Sequence, residues 1–288
     1  MNVSEYLHAL GYSIGSANAS TYMQPISVTM SEAILARLAE HHDLQPAAIV
    51  VEALDGPPAW RYRADRPLYP ASMIKVPLVA AALLLRARGE LSGGAVPIDP
   101  ANLTANDGPS PLVEGYAASL DELCELAITR SDNVATNQLY DIVGRERASR
   151  LVRRELGLRD TGFRRKLSGA HPLVRDPGQS GRNSFPASDA ARLFSSIARG
   201  AFAGADVIYS LLLRQEWNAK LSEGLRAGDR FAHKTGDTQT VSHDGGILTT
   251  AEGRRYTIVV YTGCASSDTT DARFASLMRE LRPLLDAL

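Results

Sequence analysis

Pro70-Ala71-Ser72-Met73-Ile74-Lys75-Val76-Pro77 runs without a break into Leu78-Val79-Ala80-Ala81-Ala82-Leu83-Leu84-Leu85, and the reading of this stretch decides the rest of the chain. Alanine and leucine are strong helix formers, whereas Pro70 cannot continue a helix backwards, so a helix is expected to begin close to Ser72. Pro77 blurs that boundary by a residue or two. Residues three apart share a helix face, which sets Lys75 over Ser72 within reach of its hydroxyl. Unpaired N–H groups at the helix start point at the same place and suit a negative oxygen formed by attack on a carbonyl. The stretch reads as the kernel of an acyl-transfer site. Taken alone, the motif is weak, and a capping Ser followed by a surface Lys is the simpler account.

The chain has 288 residues, of which 44% are hydrophobic, enough for one large domain or two smaller ones around a sizeable core. A formal net charge of -1 gives no reason to expect a nucleic-acid or membrane-surface partner. Arg164-Arg165-Lys166 reads as a solvated basic face. Val76–Leu85 is too short for a membrane span and is followed by Arg86 and Arg88. Residues 1–23 show no basic start and no continuous apolar core, so the sequence as given carries no secretory signal; the chain is cytoplasmic as written, or secreted or periplasmic if a leader was removed. Cys124 and Cys264 are read as two buried thiols. The lysines are only Lys75, Lys166, Lys220 and Lys234, against 31 basic residues in all. Two of them fall in candidate motifs, and an amine can give up its proton where a guanidinium cannot.

Outward from Ser72, a helix is predicted over 31–40 with Ser31 as N-cap, then strands at 47–54 and 60–63. His41 and His42 have no carboxylate or cysteine at a useful spacing and read as a solvated pair at a helix end. Residues 92–111 are loop, 120–128 and 134–143 are helices meeting at Thr129-Arg130-Ser131-Asp132-Asn133, and 151–156 is a short helix closed by Gly157. Residues 159–185 make a long surface loop. Helices follow at 187–197 and 207–217. Three short strands at 231–235, 245–250 and 256–262 come next, with a turn at Glu252-Gly253, and a final helix spans 271–288. The simplest assembly is an α/β (α+β) protein. An antiparallel sheet of about five strands is built from both chain ends, residues 31–69 and 229–288, and flanked by terminal helices. A helical subdomain, 70–228, is inserted, with Ser72 at the seam, and residues 1–30 form an N-terminal extension.

Two further stretches join the first. Ser131-Asp132-Asn133 sits in a turn between helices, where Ser131 can relay a proton to a leaving nitrogen and Asn133 can offer its amide to a substrate carbonyl or to Lys75. Lys234-Thr235-Gly236 ends a strand, where an amine and a hydroxyl suit a carboxylate and glycine admits a close approach. Ser-x-x-Lys, Ser-Asp-Asn and Lys-Thr-Gly in this order resemble the serine β-lactamase and penicillin-binding-protein superfamily, nearest to class A β-lactamases, over roughly residue 47 to the C-terminal helix. Ser131–Leu139 and Asn183–Asp189 add to the likeness.

The resemblance implies that Ser72 is the acylated nucleophile, Lys75 its base or proton relay, and Ser131 the donor to the departing nitrogen. Lys234 would help keep Lys75 partly neutral and, with Thr235, hold a substrate carboxylate. Asn133 and Gly236 would line the substrate site, and the N–H groups of Ser72 and Asp237 would form the oxyanion hole. It implies a small β-lactam, ester or peptide substrate, no metal or organic cofactor, and a monomer. The chain departs from the class A pattern after the Ser-Asp-Asn helix. There the family carries a glutamate, in an Arg-x-Glu-x-x-Leu-Asn context, that positions the deacylating water, and Phe163-Arg164-Arg165-Lys166-Leu167-Ser168-Gly169 has no acid. Glu146 and Glu155 fall too early, and Asp176, a turn former beside Pro177, is the remaining substitute. Acylation therefore looks intact and fast deacylation does not. An esterase or D-Ala-D-Ala peptidase, or a silent binding domain of the same fold, stands as the alternative. His243-Asp244 is no dyad, because adjacent strand residues point to opposite faces; a structural or rim role is expected.

Overall fold

The structure, a computed structural model, describes residues 28–57, 59–169 and 172–286. All but the last three residues of the expected N-terminal extension lie outside that set. Helix α1 spans Val28–His41, so it begins upstream of Ser31, which is buried inside the helix rather than capping it. Strands β1 (Ala47–Ala53) and β2 (Ala59–Tyr62) follow. The chain returns to the same sheet with β5 (Arg230–Asp237), β6 (Ser242–Thr249) and β7 (Arg255–Thr262). The order β2-β1-β7-β6-β5 is antiparallel throughout, with Val50 opposite Val259 and Gly236 opposite His243. Five strands, flanking helices and a helical block form the assembly expected from the sequence.

Alternation along the strands divides the core in two. Ala48, Val50, Ala232, Ile247, Val259 and Tyr261 face the helical block. Ile49, Val51, Phe231, Leu248, Ile258 and Val260 face α1 and the C-terminal helix α8 (Asp268–Asp286). With both faces covered, the strands show little polar alternation, as in Tyr256-Thr257-Ile258-Val259-Val260-Tyr261.

Helix α2 (Lys75–Ala87) is the axis of the helical block, buried at every residue from Lys75 to Leu85. Around it stand α3 (Leu120–Thr129), α4 (Asn133–Val143), α5 (Arg145–Leu156), α6 (Ala187–Ala198) and α7 (Ala205–Leu213). Helix α5 starts six residues before the predicted 151. Its first turn, Arg145-Glu146-Arg147, is polar, and so gives no apolar period to read. Helix α7 stops at Leu213 rather than 217, and the predicted loop at 92–111 contains the short strand β3 (Val96–Pro97), which pairs with β4 (Ala117–Ala118).

The predicted surface loop 159–185 proves to be pinned from beneath. Asn137 Oδ1 accepts from the Leu167 N–H at 2.8 Å and its Nδ2 donates to the Leu167 carbonyl at 2.9 Å. Asn183 Oδ1 accepts from the N–H groups of Arg164 and Arg165, and Asp189 from Asp160 and Thr161. Backbone groups deprived of water are thus satisfied by side chains, which lets Phe163 and Leu167 enter the core. Arg164 is solvated as expected, but Lys166 is not: its side chain is 9% exposed and donates to Asp141 at 2.7 Å. Of the two thiols, Cys124 is buried and Cys264 is partly exposed.

Candidate active site

The helix start at Ser72 is a two-stage device. Ala71–Ile74 form a turn of 3-10 helix, and α2 takes over at Lys75, so Pro77 falls in the first α-helical turn, where a missing N–H costs nothing. Ala71 is held at φ 47° and Ser131 at φ 58°, left-handed values that cost a non-glycine residue about 1 kcal/mol or more and persist only where surroundings impose them. The two serines named by the sequence therefore lie on, or directly after, a strained residue.

The surroundings of Ser72 come from the sheet. A Cβ on Gly236 would stand 3.0 Å from the Pro70 carbonyl and 3.1 Å from Met73 Cγ, so only glycine lets β5 lie this close to the nucleophile turn. Opposite Gly236, His243 on the same face sets its Nε2 2.7 Å from the Tyr69 carbonyl, while its Nδ1 accepts from the Thr262 N–H at 3.1 Å. Burial pulls this imidazole down to about 4, so at neutral pH it is uncharged, with Nε2 2.7 Å from the Tyr69 carbonyl and Nδ1 2.7 Å from the Ser242 carbonyl. Asp244 points the other way, 2.8 Å from His233 Nδ1, as the strand alternation requires. His243 is an anchor for the segment before Ser72.

Lys75 is fully buried, and its Nζ donates to the Ser131 carbonyl, to Ser131 Oγ at 3.1 Å and to Asn133 Oδ1 at 2.9 Å. Among the described residues its acceptors lie on the Ser-Asp-Asn turn rather than at Ser72 Oγ. Burial, reinforced by the nearby charge of Lys234, holds the amine well below the usual lysine range, with Asp132 and Asp107 opposing. Of the two roles considered for Asn133, its amide oxygen takes the Lys75 one, and its Nδ2 donates to the Ala105 carbonyl.

Lys234 is also buried on β5, with its Nζ 3.0 Å from the Thr235 carbonyl, and burial pulls it down to about 7 against the pull of Asp237. Thr235 is buried beside it. The Asp237 side chain is bound at 2.6 Å through both oxygens to Lys220 Nζ and accepts from Ser242 Oγ at 2.9 Å. Burial works against its ionisation, but Lys220 together with hydrogen bonds from Ser242 and Ser266 holds its pKa below the usual carboxylate value.

Several participants were not read from the sequence. Asn106 accepts from the Asn133 N–H and donates to Asp132, clamping the Ser-Asp-Asn turn from the 92–111 loop, and exposed Asp107 beside it acts on both Lys75 and Lys234. Trp217, 41% exposed, donates from Nε1 to the Arg130 carbonyl next to Ser131. Asn106-Asp107 looks like any turn-forming pair in a Gly/Pro-rich loop, and only the scarcity of lysine marked Lys220. Asp176 is engaged elsewhere: one carboxylate oxygen accepts from Arg145 and the other from the Lys166 N–H at 2.7 Å. A cavity of about 640 Å³ lies on that side, lined by Tyr140, Arg145, Lys166 and Asp176 and not by Ser72.

Comparison with known proteins bears on the fold and the family. The family model described as the Beta-lactamase enzyme family matches residues 30–281. The β-lactamase regulatory protein BlaB of Streptomyces cacaoi is 27% identical, covering 77% of this chain and 86% of its own. A β-lactamase of Rhodobacter capsulatus is 33% identical over 47% of this chain and 45% of its own. Among solved structures, PBP-A superposes with a TM-score of 0.78 at 23% identity, covering 93% of this chain and 100% of that one. A PBP-A variant in an acyl-enzyme complex with penicillin G gives a TM-score of 0.77 at 22% identity, covering 92% and 100%.

Proposed function

The chain belongs to the β-lactamase enzyme family, and from that premise we propose that it is a serine hydrolase whose Ser72 opens a β-lactam, or a related amide or ester, and keeps the resulting acyl group for a long time. The observation that carries the first half is Lys75, buried, depressed in basicity and bonded to Ser131 Oγ. An amine of lowered basicity one helical turn from Ser72 is suited to act as a base, and its link to Ser131 gives the proton an exit. Ser72 Oγ bonds to the lactam carbonyl carbon, and its proton passes to Lys75. As the C–N bond breaks, Ser131 delivers a proton to the ring nitrogen and is reprotonated from Lys75. The N–H groups of Ser72 and Asp237 take the oxyanion, Lys234 and Thr235 the substrate carboxylate, and Gly236 and Asn133 border the bound acyl group.

The second half rests on the loop. Leu167, the residue that Asn137 grips through both backbone groups, supplies no base. Two acids beside the loop are occupied, Asp176 by Arg145 and Lys166, Asp141 by Lys166 and Asn102. Loss of a general base costs about two to four decades of rate, or about 3–5 kcal/mol. The test is intact-mass spectrometry after exposure to penicillin G, with Ser72→Ala as control. A stable adduct of the whole penicillin mass, absent from the control, is expected. No adduct at any sampling time and no hydrolysis would overturn acylation, and rapid nitrocefin hydrolysis would overturn slow release.

The Streptomyces cacaoi relative bears a regulatory name, and a long-lived adduct suits detection of a β-lactam as well as its destruction. Turnover of small aryl esters or of a D-Ala-D-Ala peptide without adduct accumulation would instead favour the esterase or peptidase alternative.

A further inference from the structure

Helix α1 ends on His41 and His42 follows it, at the sheet face opposite the Ser72 turn. The sequence offers this pair no nearby carboxylate, but the fold brings one from the far end of the chain. Glu280, on α8, sets Oε1 3.5 Å from His41 Nε2 and 3.3 Å from His42 Nε2, and the three ligand atoms all lie within 4.8 Å of one another. Two ligands held at the usual distance from a tetrahedral zinc ion are about 3.4 Å apart, so both nitrogen–oxygen spacings already match two edges of such a site.

An ordinary His–Glu ion pair gives similar distances, and a second observation separates the two readings. The His42 side chain is only 9% exposed, and its Nε2 is buried without a hydrogen bond of acceptable geometry among the described residues, although the carboxylate stands beside it. A buried ring nitrogen 3.3 Å from a carboxylate, in poor alignment for a hydrogen bond, fits a ligand atom sharing an ion with that carboxylate. His41, 69% exposed, has room to turn its ring towards a shared ion, and water completes the coordination.

We propose that His41, His42 and Glu280 form a divalent-metal site, suited to Zn²⁺ by its two imidazoles and one carboxylate, that ties the end of α1 to the C-terminal helix. Two nitrogens and one oxygen favour zinc or its neighbours over magnesium and calcium, which take oxygen sets. The site lies apart from the acylation machinery and stands independently of the function proposed above.

The test is titration of the chelator-treated full chain with Zn²⁺ in competition with a chromophoric chelator, repeated with Co²⁺ for its visible spectrum. Melting is followed in parallel. The expected result is one equivalent bound, a tetrahedral or five-coordinate Co²⁺ spectrum, and a higher Tm with Zn²⁺. His42→Ala and Glu280→Gln should each weaken binding at least tenfold and abolish the Tm rise, while penicillin labelling stays as in the parent. Glu280→Gln and His41→Ala change partly or largely exposed side chains, so they carry the test should His42→Ala fold poorly. No binding by the parent, Mg²⁺ or Ca²⁺ bound as well as Zn²⁺, or undiminished binding in the variants, as from an ion held by another histidine or a cysteine, would overturn the site.

Discussion

Replacing Leu167 by glutamate should turn a slow deacylator into a faster one. Leu167 is 7% exposed, and its backbone is fixed by two hydrogen bonds to Asn137, at 2.8 and 2.9 Å. Asn137 lies one helical turn after Asn133, the residue that accepts from Lys75, so the two asparagines share a face of α4 and stand about 6 Å apart along its axis. A carboxylate on the Leu167 backbone is therefore expected to reach an ester on Ser72 through one bridging water. A correctly placed general base contributes about 10² to 10⁴ in rate, so the lifetime of the penicillin adduct should fall by that factor, about 3–5 kcal/mol off the deacylation barrier. The same change removes a buried leucine and desolvates a carboxylate, at a cost of about 2–4 kcal/mol in stability, so a lower Tm accompanies the gain. Adduct decay is read by intact mass after excess penicillin is removed, with Leu167→Gln as a control of equal shape that supplies no base. The reasoning is refuted if Leu167→Glu folds, acylates at the parent rate and keeps the parent's adduct lifetime, or if Leu167→Gln accelerates release equally.

Three further outcomes follow from the same geometry. His243 is held down to about 4 by burial, against an ordinary value near 6.5 in the unfolded chain. The unfolded state therefore binds the extra proton first: this stabilisation is complete above about pH 6.5 and about 3 kcal/mol of it is lost as pH falls through 4, a slope that His243→Gln should remove from urea-melting profiles. Parallel profiles for parent and variant would sink the assignment. Gly236→Ala places a methyl 3.0 Å from the Pro70 carbonyl, and moving the Ser72 turn by a few tenths of an ångström should slow acylation by about 10- to 100-fold with a smaller loss of Tm; equal acylation rates would count against the close approach. The acid limb of the acylation rate should lie well below the pH at which a free lysine titrates, and Lys75→Arg should abolish labelling, because a guanidinium stays charged. A limb near pH 10.5 would show that Lys75 is not the base.

How far the sequence reaches can be judged from particular elements. The strands were readable because both faces of the sheet are buried and β-branched residues cluster, and α2 because nothing polar interrupts Val76–Leu85. Motifs separated by whole subdomains were readable because residue type and order are carried along the chain. What stayed hidden depends on contacts that no local pattern encodes. Polar first turns hid the start of α5, and a loop of glycines and arginines disguised the burial of Leu167, which rests on one asparagine in another element. The Lys220–Asp237 pair and the His41, His42 and Glu280 cluster join residues from different elements, and only the folded backbone sets their distance. Alternation alone was enough to separate His243 from Asp244, and the coordinates then supplied their different partners, Tyr69 and His233.

The burial of Lys75 makes reactivity a property of the assembled molecule. Once the helical block parts from the sheet, the amine regains water and its full basicity, Ala71 relaxes from φ 47°, and Ser72 becomes an ordinary alcohol. A fluorescent penicillin would therefore count only molecules whose two halves are docked. Labelling through a denaturant gradient would register the opening of the seam even where helix content, followed by circular dichroism, has not yet changed.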